Sequence, residues 1–338
     1  MDFNYRFLKG TVAVSLLLTF ALIPVTPIFA TPPDINSPAG QPSQGKAINN
    51  ENARSSHLLQ LPSNSEDAGR PATGSITFVG NATVIIRYGA LTILTDPNFL
   101  HRGDHVHLGY GITAQRLTDP AIELENLPPI DLIVLSHMHE DHFDKLVQSN
   151  LDRNIPIVTT KEAAESLKKL GFTKRHPLRT WDTLVVEKGN TTLHVTAMPG
   201  RHGPPIVAKL LPEVMGSMLD FRSKNSPPSY RMYISGDTMV FDDIKEIPKR
   251  YPDVDLALLH LGGTRLLGLV TVTMDAKEGV KMMRLIVPRK AIPIHYNDYD
   301  VFKSPLSDFK EEIERAGLQD KIIYLEHGDT YEFRPAEK

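Results

Sequence analysis

The stretch DLIVLSHMHEDHFD, residues 131–144, decides how this chain is read. Residues 131–136 form an apolar run of strand length, and it passes directly into His137, His139, Asp141 and His142, an HxHxDH pattern. In an extended segment alternate residues share a face, so His137, His139 and Asp141 can point into one cavity. His142 follows where the chain turns toward a helix, which lets two adjacent ligands diverge toward two neighbouring ions. The chain has 13 His and no Cys, so any metal must be held by nitrogen and oxygen atoms alone. That donor set suits Zn first, with Mn or Fe as alternatives.

Outward from this segment the apolar patterns alternate in type. Toward the N-terminus, ITFVG (76–80), TVIIRYG (83–89) and LTILTD (91–96) have strand length and hairpin spacing. Toward the C-terminus, KEAAESLKKLG (161–171) has helical spacing and ends in Gly, and strand patterns return at 183–187, 191–198 and 230–236. VDLALLH (254–260) precedes a helix over 274–286, KAIPIH (290–295) precedes another over 305–317, and KIIYLE (321–326) reads as a closing strand. The GDT at 328–330 reads as a turn between short terminal strands. Hairpins followed by alternating strands and helices indicate an α/β fold of two packed sheets flanked by helices.

The N-terminal 73 residues read differently. Residues 1–30 carry Arg6 and Lys9, then an uncharged apolar run from 11 to 29, then Ala30 before a polar segment: a signal peptide for export to the periplasm or the medium, or a membrane anchor if uncleaved. Residues 31–73 are rich in Pro, Ser, Asn, Gln and Gly and read as a disordered linker, with one short helix near Leu58–Leu61. The domain proper is expected over 74–338. Lys plus Arg number 37 against 40 Asp plus Glu, a net charge of −3, so no nucleic-acid partner is expected.

Three more candidates stand at the carboxyl ends of later strands: His202, Asp237 within SGDT, and His295. Open α/β sheets place ligands at that edge, so all three can converge on the first cluster. His137, His139 and His202 can hold one ion and Asp141, His142 and His295 a second, with Asp237 bridging both. His101, His105 and His107 lie in a polar loop and read as surface residues. His260 ends a strand at the same edge and reads equally as a pocket residue or a core histidine.

HxHxDH at 137–142, the later GRHG, SGDT and IPIHY segments, and ITFVGNATVIIRYGALTILTDP near the start together resemble the metallo-β-lactamase superfamily. Within it, the GNAT and ILTDP segments and His295 followed by Tyr296 look like the branch of N-acylphosphatidylethanolamine phospholipase D and L-ascorbate-6-phosphate lactonase. The resemblance covers about 74–333 and implies an αββα four-layer sandwich with a binuclear metal site on the seven residues named. Relatives often carry His where Asn81 stands, so a contact of the site wall is expected to differ. Asp96 is expected to orient a ligand histidine, and Arg201, Arg265 and Tyr296 to border the site as candidates for a substrate anion.

Two divalent ions holding a hydroxide, with Asp141 orienting or deprotonating it, make a hydrolase of a phosphodiester, with a lactone or other ester second. The substrate is expected to be a small or lipid-like molecule. The competing reading from another class is a non-catalytic metal-binding protein of the cell envelope.

Overall fold

A computed structural model describes residues 56–335, apart from 110, 224–225 and 267. The expected signal segment 1–30 and the linker up to residue 55 lie outside the described residues.

Two seven-stranded sheets form because the apolar strands alternate cleanly between two partners. One sheet has the order Thr330–Phe333, Gly74–Gly80, Thr83–Tyr88, Leu91–Thr95, Leu132–Val134, Ile157–Thr159, Arg175–Pro177. The other runs Ser56–Gln60, Thr183–Lys188, Thr191–Pro199, Met215–Ser223, Ser226–Ile234, Leu256–His260, Lys290–Ile294. Side chains one residue apart in a strand face opposite ways. Leu256 and Leu258 therefore join Ile76, Ile86, Leu132 and Val195 in the layer between the sheets. Ala257 and Leu259 pack outward on Val280, Met283, Phe309 and Ile313 of the helices Ala276–Ile286 and Leu306–Ala316. On the far face of the other sheet, Ile85, Leu94 and Ile133 meet Val147 and Leu167 of Lys145–Asn150 and Lys161–Lys169. The expected αββα layering is what the chain adopts.

Local chemistry sets the helix limits. Thr160 caps Lys161–Lys169 by accepting the Ala163 N–H, and Asp275 caps Ala276–Ile286 by accepting the Glu278 N–H. Gly317 ends Leu306–Ala316 at φ 68°, a left-handed position that costs Gly little.

Three sequence readings are corrected. Residues 58–60 are part of the strand Ser56–Gln60, not a helix, and pair in parallel with Thr183–Lys188. A sheet edge supplied the pairing that a five-residue polar-flanked run could not signal alone, so the domain begins inside the stretch read as linker. The KIIYLE run makes only an isolated bridge, Ile322 to Ala291. The closing strand is Thr330–Phe333, antiparallel to Gly74–Gly80, so the GDT at 328–330 leads into a strand instead of joining two.

Candidate metal centre

The ligand-type residues emerge where the central strands of both sheets end. Past Leu132–Val134 the chain turns over 139–143, with the His142 and Phe143 amides both donating to the His139 carbonyl at 3.0 and 2.9 Å. Asp144 then caps Lys145–Asn150 by accepting the Val147 N–H at 2.9 Å. His202 follows Thr191–Pro199, Asp237 follows Ser226–Ile234, and His295 follows Lys290–Ile294. Asp96, Asn81 and His295 hold left-handed φ values of 34°, 52° and 59°, a cluster of backbone strain around one site.

All seven candidate ligands are buried, and they fall into two groups. In the first, ligand atoms of His137, His139 and His202 lie within 4.8 Å of one another. The second holds Asp141, His142, Asp237 and His295 under the same limit. His295 Nε2 is 3.3 Å from Asp141 Oδ2, and His142 Nε2 is 3.6 Å from that same oxygen. Asp237 stands 3.5 Å from His142 Nε2, 3.6 Å from His295 Nδ1 and 3.9 Å from His202 Nε2, so it reaches both groups.

Outer contacts orient several of the rings, and at His202 they fix which nitrogen the ring offers. His202 donates Nδ1–H to the Val272 carbonyl at 2.8 Å, which leaves the Nε2 lone pair directed at the site. His142 Nδ1 lies 3.2 Å from Asp96 Oδ2, and its Nε2 has no hydrogen-bond partner. His137 Nδ1 meets Ser136 Oγ at 2.9 Å. Asp96 is itself held by the Ser136 N–H at 2.7 Å and by His260 Nε2 at 3.4 Å. Thr273 donates to Asp237 Oδ2 at 3.1 Å.

Protonation follows burial and neighbours. Burial and the facing His202 hold His139 down at about 3, and burial with its neighbours His142 and His139 keeps His137 well below its usual value. His202 is lowered by burial. Burial also opposes charge on His142, but Asp237, Asp141 and Asp96 overcome it and raise the ring well above its ordinary range. His295 is raised by Asp237 and Asp141 against the same penalty. Burial would push the carboxylates up, yet the neighbouring histidines hold Asp237 and Asp141 below the usual range and Asp96 at about 2.

A buried atom with no hydrogen bond needs a partner of another kind. Asp141 Oδ1, His142 Nε2 and Asp237 Oδ1 are such atoms, all in the second group. Three neutral imidazoles in one group and two ionised carboxylates in the other are donor forms a divalent cation requires, and His142 and His295, raised by those carboxylates, would give up a proton on binding it. The residues therefore fit the expected metal.

The remaining candidates sort by position. Arg265, on the hairpin Arg265–Leu266 and Val270–Thr271, lines the cavity over the ligands. That cavity has about 20 Å³ for a water-sized molecule, walled by Leu108, Ile112, Leu211, Leu266, Val272 and Val301. His260 is fully buried behind His142 instead of lining it. Two expectations are corrected. Tyr296 points into the layer between the sheets and donates to the Leu325 carbonyl, because the left-handed turn at His295 sends the next side chain inward. Arg201 stacks on the Phe241 ring at 4.3 Å and lines a separate groove. Asn81 donates Nδ2–H to the Asp141 carbonyl at 2.7 Å. His101 pairs with Glu123 and His107 with Glu140, and no loop histidine of 101–107 enters a ligand group among the described residues. A wider groove of about 890 Å³ beside Phe99, Glu123, Pro128 and Asn150 contains none of the seven.

Residues 92–296, about three-fifths of the chain, match the model of the Beta-lactamase superfamily domain. The chain belongs to this superfamily. Among curated superfamily relatives, a UPF0173 metal-dependent hydrolase of Nanoarchaeum equitans is 27% identical over 210 residues, 61% of this chain and 87% of that one. The UPF0173 protein YddR of Bacillus subtilis is 26% identical over 269 residues, covering 77% of this chain and all of that one. Among solved structures, the isothiocyanate hydrolase from Delia radicum gut bacteria superposes with a TM-score of 0.64 at 20% identity, over 77% of this chain and all of that one. A possible metal-dependent hydrolase from Veillonella parvula gives 0.63 at 21%, over 76% and 98%. Both share the superfamily fold.

The residues that reading the sequence did not single out are Asn98, Arg116, Asp298 and Thr273. None lies in a ligand motif, and only the folded loops bring them to the site.

Proposed function

We propose that the protein is a metal-dependent hydrolase that uses two divalent ions, Zn first and Mn or Fe as alternatives, to cleave a phosphodiester. The observation that carries this reading is the position of Asp237, within 3.9 Å of His202 on one side and within 3.6 Å of His142 and His295 on the other. His137, His139 and His202 would hold one ion, Asp141, His142 and His295 the other, and Asp237 would serve both. When bound, the ions supply Lewis acidity, which makes water nucleophilic near neutral pH and polarises a phosphoryl or carbonyl oxygen. Asp141 would orient the attacking water and take its proton, its Oδ1 having no hydrogen bond within the protein.

Substrate choice rests on the walls. Arg265 is the one cationic side chain among the described residues of the cavity, matching the single charge of a phosphodiester. The aliphatic walls, which leave only about 20 Å³, would have to part to take an apolar ester arm, as in a lipid-like substrate. The name of the Nanoarchaeum equitans relative supports the hydrolase class, and the resemblance to the phospholipase D and lactonase branch supports a phosphodiester first and a lactone or other ester second. We also propose export through residues 1–30, cleaved near Ala30, ahead of a linker and of a hydrolase domain that includes the strand Ser56–Gln60.

The test is turnover by metal-replete mature protein. Bis(p-nitrophenyl) phosphate, a γ-lactone and p-nitrophenyl butyrate should be compared, each with and without chelator. Chelator-sensitive cleavage of the phosphodiester is expected. Two bound ions with no turnover of any probe would favour the non-catalytic metal-binding protein of the envelope instead.

A further inference from the structure

The turn that presents His139 and Asp141 is held from outside by residues that belong to no ligand motif. Glu140 sits between those two ligands, and its backbone carbonyl accepts a hydrogen bond from Asn98 Nδ2 at 3.2 Å. Asn98 is fully buried, and so is Arg116, whose Nη1 donates to Asn98 Oδ1. Tyr299 Oη donates to the same oxygen at 3.0 Å. The Asn98 backbone N–H donates to Thr83 Oγ1 at 2.9 Å, and Thr83 donates onward to the Asp96 carbonyl at 2.7 Å.

An asparagine side chain offers an acceptor on one arm and donors on the other, and only its neighbours decide which way round it sits. Here two donors, the Arg116 guanidinium and the Tyr299 hydroxyl, face one arm. That arm must be the oxygen, so the NH₂ group is forced toward the Glu140 carbonyl. Arg116 is in turn held through Nε and Nη1 by hydrogen bonds and through Nη2 by an ion-pair contact, Nη2 making no hydrogen bond of its own. Its Nε donates to the Thr118 carbonyl at 3.0 Å, and its Nη2 lies 3.4 Å from Asp298 Oδ1. A Cβ on Gly80 would stand 3.0 Å from Nη2, so the glycine leaves the space that the guanidinium fills. Asp298 also accepts from Thr118 Oγ1 at 2.5 Å and meets His327 Nε2 at 3.2 Å. Asp298 stands three residues after His295 and Asn98 two after Asp96, so the unit ties three ligand-bearing or ligand-orienting segments together.

A buried ion pair is an expensive way to gain stability, because desolvation can exceed the attraction. A role in geometry accounts for it better. We propose that Arg116 and Asn98 form a positioning unit: Arg116 sets the Asn98 amide, and the amide holds the Glu140 carbonyl so that His139 and Asp141 keep the spacing at which they bind metal. The inference rests on the two-ion reading above and adds to it residues that touch neither ion nor substrate.

The test is Zn²⁺ affinity of the full mature chain, measured by competition with a chromophoric chelator, beside the urea midpoint of the same protein without metal. Asn98→Asp keeps the size and the contact with Arg116 but sets an oxygen against the Glu140 carbonyl. Zn²⁺ affinity should fall about ten- to hundredfold, the range seen when outer contacts of metal ligands are lost. Arg116→Lys, which keeps a cation near Asp298 but loses the fork that reaches Asn98, should weaken binding in the same direction and serves where Asn98→Asp does not fold. Wild-type Zn²⁺ affinity in a folded variant overturns the proposal. So does an affinity loss accompanied by an equal loss of metal-free stability, because the unit would then act only on the fold. A wild-type chain that binds no Zn²⁺ removes the metal reading itself, a different result from wild-type binding retained by the variants.

Discussion

At the scale of single residues, the seven candidate ligands were legible because each is a polar residue at the end of an apolar strand, and strand ends of an α/β sheet meet at one edge. Arg201 and Tyr296 show where that reasoning stops. Their sequence positions beside His202 and His295 are as close as a neighbour can be, yet one stacks on Phe241 and the other enters the core. Which way a side chain leaves a turn depends on a single φ, and sequence spacing does not contain it. Asn98 and Arg116 were illegible for a related reason, since their partners lie 42 and 18 positions away respectively and are met only through loops. At this scale the sharpest prediction concerns Asp141. Replacing it with Asn preserves shape but removes the anion that would take a proton from water. Asp141→Asn should lower turnover of bis(p-nitrophenyl) phosphate by about 10²- to 10⁴-fold, while elemental analysis still finds one ion on His137, His139 and His202. Full activity in that variant would sink the assigned role.

Between residue and molecule, elements carry their own signals, and those were uneven. The helices Lys161–Lys169, Ala276–Ile286 and Leu306–Ala316 were readable from their spacing, the first also from the Gly171 that follows it. The strand Met215–Ser223 was not, because Gly216, Ser217 and Asp220 interrupt any apolar alternation. It is a central strand buried on both faces, and its small residues are there for packing: a Cβ on Gly216 would sit 3.1 Å from the carbonyl oxygens of Ile234 and Ser235. Gly216→Val should therefore cost about 1–3 kcal/mol in urea unfolding, the range for overpacking a filled core. The opposite sign is expected at Val287. This β-branched residue closes Ala276–Ile286 at φ 53°, ψ 48°, with 58% of its surface exposed, so little packing compensates its left-handed backbone. Gly removes the clash, and Val287→Gly should raise stability by about 1 kcal/mol. A urea midpoint at or below that of the wild type would contradict this.

For the whole molecule, the layering was legible from the order of strands and helices, but the first strand was lost in a polar-flanked run that only its sheet partner makes extended. The buried site then governs how the complete fold responds to pH. His137, His139 and His202 are held below their usual range, His139 at about 3, so the folded chain refuses protons that the unfolded chain accepts below pH 6.5. Stability rises with pH wherever the unfolded state binds more protons, so these three groups stabilise the fold above 6.5 and withdraw that support as pH falls. His142 and His295 have the opposite shift, and their contribution is complete below 6.5 and declines only as pH rises through their folded values. Asp141 and Asp237 are depressed and begin to act only below about 3.8, where unfolded carboxylates start to protonate. Between pH 6.5 and 4 the first set acts together with His260, His176 and His194, which burial also lowers, and against Asp144 alone, which burial raises. The urea midpoint of metal-free protein should fall steadily across that window, and a flat profile would show that the three imidazoles are not kept neutral by the fold. Bound metal should steepen the same dependence, because protons compete for the ligand nitrogens. Zn²⁺ at a hundred times its dissociation constant adds about 2.7 kcal/mol per site. At one fixed free Zn²⁺ concentration the added stability should thus be larger at pH 7.5 than at pH 5.5, and an equal gain at both would argue that the ions bind away from these histidines.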